Sequence, residues 1–354
     1  MPGILTISLD FELYWGVHDK RDLKEYGRNI LGARDAIPRM LEVFERYGVH
    51  CTWATVGLLF FDDKEELLQY LPQQRPRYAN PALSPYPRIA RIGPSERQDP
   101  YHFGLSLVRR IKDCPHQEIG THTFSHYYCL EDGQTPETFC ADLEAARRSA
   151  ARLGITLRSL VFPRNQFSAD YLGICREAGI EAVRGNQPFW LFRSNGEADE
   201  TLIKKIGRRL DHYLPLSGHN GVTPESDSLG IVNIRSSRFL LPVPTRSRML
   251  GPLCHHRIAA GMTHAAATGR IFHLWWHPHN FGSHVDDNMA MLRQIMEHYR
   301  ELAQEHGMVS RNMGEVATAA RHGPSHSVEG MRPAVAPEPR LDAMKAARVS
   351  VTAT

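Results

Sequence analysis

Two histidines four residues apart, in Glu118-Ile119-Gly120-Thr121-His122-Thr123-Phe124-Ser125-His126, place two nitrogen donors on one side of a single turn. Two neutral imidazoles and one carboxylate bind a divalent cation and leave a position open, the donor pattern of catalytic zinc. The chain offers carboxylates near its N-terminus, at Asp10-Phe11-Glu12. A cation in such a shell lowers the pKa of water to about 7 and polarises a carbonyl. A second carboxylate outside the shell can take a proton from attacking water. An arginine beside that carboxylate would hold it ionised, and a histidine on the opposite wall would protonate a departing amine. Together these parts make a metal-dependent hydrolase for an amide or ester bond.

Such residues are far apart in sequence, so the fold must gather them. Seven short apolar runs read as buried strands: 4–10, 50–56, 117–122, 158–163, 180–184, 231–235 and 271–277. Several lack strict alternation, as parallel strands covered on both faces do. Helical periodicity lies between them. In 135–154, Thr135 caps, Pro136 opens the first turn, and Phe139, Leu143, Ala146, Ala150 and Leu153 recur every three or four residues before Gly154. The segments 33–47, 168–179 and 285–307 repeat that plan. Strands alternating with helices predict an α/β fold with a parallel sheet, and seven strands suit a barrel better than an open sheet.

In such a barrel, functional side chains collect at the C-terminal ends of strands. Run one ends at Asp10 and Glu12, run three at His122 with His126 beyond it, and run four at Pro163-Arg164-Asn165. Run six ends at Arg235-Ser236-Ser237-Arg238 and run seven at His277-Pro278-His279. Their convergence on one rim carries more weight than any single motif.

The remaining sequence narrows the choices. A net charge of +3 over 354 residues argues for neither nucleic acid nor an anionic membrane as a partner. No apolar run is long enough to span a bilayer, and no Gly-rich phosphate loop follows the first run. The six cysteines are scattered, and Met1-Pro2-Gly3 enters an apolar run at once without a secretory leader, which predicts a cytoplasmic protein. The proline- and arginine-rich stretch 72–100 and the polar stretch 191–230 read as excursions over a barrel end. From 322 the composition loses periodicity, so 1–321 reads as the catalytic domain and 322–354 as a disordered tail.

The arrangement resembles the polysaccharide deacetylases with a NodB-type domain, a family like the carbohydrate esterases of family 4. Its paired acids match Ser8-Leu9-Asp10-Phe11-Glu12, closest to an Asp-x-Glu subgroup. Its histidine motif matches His122-Thr123-Phe124-Ser125-His126, and its last-strand histidine matches Leu274-Trp275-Trp276-His277-Pro278. The motifs run in family order over 4–279. The resemblance implies a distorted (β/α)7 barrel in which His122, His126 and Glu12 bind a divalent metal, zinc foremost. It implies Asp10 as general base and His277 as general acid, and an N-acetylated carbohydrate as substrate. The family places an arginine before the proline of its third motif; here Arg164 follows Pro163 and is the candidate for steadying Asp10.

Alternatives stay open at this point. Asp10 and Glu12 could exchange roles, and His279 could serve in place of His277. His273 reads as structural and Trp53 as packing. One of Trp275 and Trp276 should be core, because neighbouring strand residues face opposite ways. Arg235 and Arg238 are candidates for an anionic group or for surface ion pairs. The site could also cleave a formamido sugar or a ureide, as an allantoinase does, or the barrel could bind glycans without turnover.

Overall fold

The first apolar run becomes the central strand β1 (Ile4–Phe11), buried from Leu5 onward. In the computed structural model, which describes residues 1–194, 196, 201–243 and 250–322, nine further strands join it. They are β2 (Cys51–Thr55), β3 (Gln117–Thr121), β4 (Ser159–Val161), β5 (Ala182–Arg184), β6 (Glu225–Ser226), β7 (Val232–Asn233), β8 (Arg238–Phe239), β9 (Ile271–Trp276) and β10 (Val309–Ser310). Their order is β6-β7-β5-β4-β3-β2-β1-β9-β8, with β10 also on β1. Among these strands, only β6 runs antiparallel, against β7. The result is a curled α/β sheet, the distorted barrel that the resemblance implies, and all seven expected strands lie in it.

The distortion is local. Along 232–240, Val232, Ile234 and Ser236 donate their N–H groups to Glu181, Val183 and Gly185 on the β5 side. Ser237 and Leu240 then donate to His273 and Trp275 of β9. One short segment therefore changes partners midway and links the two sides of the curl.

The helices are α1 (Leu23–Tyr47), α2 (Lys64–Gln69), α3 (Tyr86–Ile89), α4 (Leu105–Asp113), α5 (Pro136–Ala151), α6 (Leu172–Glu177), α7 (Leu202–Asp211), α8 (Gly251–Thr268), α9 (Val285–His306) and α10 (Met313–His322). Thr135 caps α5 as expected, accepting from the Thr138 N–H. α1 begins ten residues before its expected start at 33, capped by Asp22, whose carboxylate accepts from the Glu25 N–H at 2.8 Å. Gly27 and Gly32 break the apolar pattern there, yet Gly32 has a packing reason. A Cβ on Gly32 would fall 2.0 Å from the Gly282 carbonyl oxygen, and one on Gly282 would fall 2.0 Å from that of Asn29. The two glycines let α1 press against the turn that follows β9.

Two expectations need correction. The stretch 191–230, expected to be turn-rich, contains α7. α8 was not expected at all: its sequence, Gly-Pro-Leu-Cys-His-His onward, is apolar without a clear stripe. The excursion 72–100 holds α3 and reaches the rim, where the Tyr78 hydroxyl accepts from the Tyr128 N–H at 2.9 Å. The expected tail lies, from 323 onward, outside the described residues. Among the described residues, no helix is long and apolar enough to cross a membrane.

Candidate metal centre and active site

β1 carries Asp10 and Glu12 to the rim, β3 delivers His122 and His126, and β9 delivers His277 and His279. Glu12, His122 and His126 are all buried, and one donor atom from each lies within 4.8 Å of the others. Nε2 of His126 is 3.0 Å from Oε2 of Glu12, and Nε2 of His122 is 3.4 Å from the same oxygen. The opposite ring nitrogens are engaged. Nδ1–H of His122 donates to the Val161 carbonyl at 2.8 Å, and Nδ1 of His126 meets the Tyr128 hydroxyl at 3.0 Å. That arrangement fixes the His122 tautomer and aims its Nε2 lone pair inward. Nε2 of His122 is buried without a hydrogen-bond partner. An orphaned acceptor among converging donors fits a cation, so these three residues suit a divalent metal.

The four-residue spacing works differently from a single turn. His122 and His126 stand on a bent loop whose Thr123 and His126 have φ of 62° and 58°. Such angles are costly for side chains with a Cβ, above all a β-branched one. Buried Asp142 of α5 holds the loop, accepting from the N–H groups of Phe124 at 2.7 Å and Ser125 at 3.3 Å and from the Ser125 hydroxyl. The Thr123 hydroxyl donates to the His122 carbonyl at 2.6 Å and accepts from the Tyr127 N–H at 2.7 Å. Gly16 clears space for the third donor: a Cβ there would fall 2.0 Å from Oε1 of Glu12.

Asp10 sits beside this set, clamped by Arg184 of β5. Nη1 and Nη2 of Arg184 donate to its two oxygens at 2.7 and 2.8 Å, and both side chains are buried. Burial alone would raise the Asp10 carboxyl, but Arg184, with His122 and His277, holds it below its ordinary value. The guanidinium is fixed by Ser8 Oγ at 3.0 Å, by Asn165 Oδ1 at 2.9 Å and by the Trp275 ring beneath it at 4.1 Å. Here the expectation for Arg164 is corrected. Arg164 pairs with Asp19 and lies over the Tyr128 ring at 4.4 Å. The segment after Pro163 contributes Asn165 to this network instead. Arg184 closes the fifth apolar run, and a charge ending a buried parallel strand was the signal available for it.

On the opposite side, Nε2 of His277 lies 3.7 Å from both Asp10 and Glu12. Its Nδ1 faces the Asn280 amide at 3.3 Å, and the Tyr26 hydroxyl donates to Asn280 Oδ1 at 3.1 Å. The Asn280 contact holds Nδ1 of His277 and leaves Nε2 facing the carboxylates. His279 is buried, with Nε2 3.9 Å from Glu12 and Nδ1 unpartnered. His277 is 24 % exposed and lines a cleft of about 490 Å³. Its accessibility to substrate separates it from His279.

The remaining candidates have settled places. His273 is fully buried between Ser8 Oγ and the Ile234 carbonyl. Trp276 is core, stacked on Phe281, whereas Trp275 lines the cleft. Trp53 is buried against Phe11 and Phe44. Arg235 pairs at the surface with Glu225, and Arg238 is buried against Asp211.

Several imidazoles here are buried neutral. Burial pushes His126 down to about 4, against the pull of Glu12. It likewise pushes His273 and His279 down to about 3. Each binds its proton more weakly folded than unfolded, so the unfolded chain gains protons first as pH falls below 6.5. Stability should therefore fall on acidification by up to about 1.4 kcal/mol per pH unit for each such imidazole. Thermal melts of chelator-treated protein between pH 7.5 and 4.5 would measure it, and a flat midpoint would contradict neutral burial.

The comparisons agree with this architecture. Residues 31–183 match the polysaccharide deacetylase family. A Mycobacterium smegmatis protein named as a candidate polysaccharide deacetylase superposes with a TM-score of 0.58 at 13% identity, covering 94% of this chain and 96% of its own. A similarly named candidate from Pseudomonas aeruginosa PAO1 gives 0.53 at 12%, covering 92% of each. Puue allantoinase gives 0.55 at 9%, covering 92% of this chain and 91% of its own. No curated protein matches the chain significantly.

Proposed function

We propose that this chain, a member of the polysaccharide deacetylase family, is a metal-dependent hydrolase that removes an acetyl group from the amine of an N-acetylated sugar or glycan intermediate. The observation that carries the reading is a buried Glu12, His122 and His126 set with a separate carboxylate, Asp10, clamped beside it. We assign residues 1–321 to the catalytic domain.

Glu12, His122 and His126 would hold a divalent metal, zinc by donor type, and its chemistry there would be to polarise the acyl carbonyl and acidify water. Asp10 takes the proton from the attacking water. Arg184 keeps Asp10 ionised and fixes its direction, so it acts as a positioning residue. His277 presents Nε2 from the cleft wall and, as the imidazolium, gives the Nε2 proton to the leaving amine and returns to the neutral imidazole. Trp275 and Phe239 give the cleft an apolar wall beside His277, suited to a sugar face.

The fold is also that of Puue allantoinase, so ureide hydrolysis is the competing reaction on the same residues. A panel of N-acetyl sugars, formamido sugars and allantoin, assayed for acetate, formate and ureide cleavage, tests the assignment. Acetate release from the acetylated sugars alone is expected. Cleavage confined to formamido or ureide substrates would replace the substrate, and no cleavage of any would overturn the hydrolase reading.

A further inference from the structure

α7 is amphipathic in the inverse sense. Leu202, Ile203, Ile206 and Leu210 fall within an arc of about 100° on a helix of 3.6 residues per turn. Yet that arc faces solvent: the four side chains are 70, 71, 51 and 46% exposed. The side against the protein is the polar one. Asp211 is buried, and Arg208 Nη1 donates to the Leu191 carbonyl at 3.3 Å. Gly207 approaches so closely that a Cβ would fall 2.8 Å from Cδ2 of Leu191. Exposed Lys205 and Arg209 border the apolar stripe. Trp190, in the turn packed against α7, is 48% exposed.

We propose that α7 is an interfacial helix that docks the protein on an anionic membrane surface. An apolar stripe edged by lysine and arginine fits the boundary between acyl chains and negative headgroups. A half-exposed tryptophan beside the stripe matches the residue type that settles at headgroup level. The helix also borders the catalytic cleft: Lys205 and Arg208 line the same cavity as His277. Docking through α7 brings the mouth of that cavity to the bilayer, where a lipid-borne sugar would enter. The docking itself does not depend on the chemistry at the metal centre.

Flotation of the full chain with vesicles of phosphatidylcholine, with and without phosphatidylglycerol, tests it. Binding is expected to the anionic vesicles, weakening with salt. The Ile203→Glu/Ile206→Glu variant should lose binding about tenfold or more, with its melting temperature and metal content unchanged. Failure of the wild-type chain to float, or equal flotation of the variant, would overturn the proposal. So would a concentration-dependent dimer that the same variant abolishes, which would give the face to a second copy of the chain.

Discussion

Asp10→Asn is expected to retain a full equivalent of metal while losing turnover by about 10³-fold. The geometry separates the two properties. Glu12, His122 and His126 converge on one point, whereas both Asp10 oxygens are committed to Arg184. An asparagine preserves the shape and the bond to Nη1 but has no basic oxygen for the water proton. His122→Ala is the complement, because it removes a donor whose other nitrogen is anchored on Val161. That variant should lose the metal, and turnover with it. Elemental analysis beside initial rates reads both. Metal lost from the asparagine variant would exchange the roles of Asp10 and Glu12, and normal turnover in it would end the base assignment.

The parts of this site that were legible in the sequence share a physical cause. Strand ends are marked by abrupt passage from apolar to polar residues, so Asp10, Glu12, His122 and His277 could be placed on one rim before any coordinates. What was missed depends on contacts that no local pattern encodes. Arg184 ends the fifth apolar run with a charge, but only the closing of the curl carries it under Asp10. Arg164 beside Pro163 stands near the family's arginine position, but it pairs with Asp19 instead of Asp10. The backbone strain at Thr123 and His126 was equally hidden, because Asp142 comes from the following helix. α7 escaped for another reason: its aliphatic residues were spaced for a helix, yet the stripe marks the solvent side instead of the core. In α1, Gly32 lowers helix propensity but is needed for the close crossing against Gly282.

Arg184→Met follows from that missed contact. Breaking a buried pair leaves an uncompensated charge, and the cost is expected to be about 3–5 kcal/mol of folding stability at neutral pH. The variant has a second signature. In the wild-type chain burial pushes the Asp10 carboxyl up, and Arg184, with His122 and His277, outweighs it and holds the group below its ordinary value, so the clamp contributes stability above the unfolded pKa that is lost as pH falls. Without it, burial dominates and the carboxyl rises. The base would then be protonated over part of the working range, and the acidic limb of the rate profile should move to higher pH. Urea unfolding and a pH–rate profile measure the two effects separately. Combining Arg184→Met with Asp10→Asn should recover much of the stability without recovering turnover, because the second change removes the stranded charge. An acidic limb that stays in place in the single variant would show that the base is not Asp10. Additive stability losses in the double variant would show that the two side chains are not coupled.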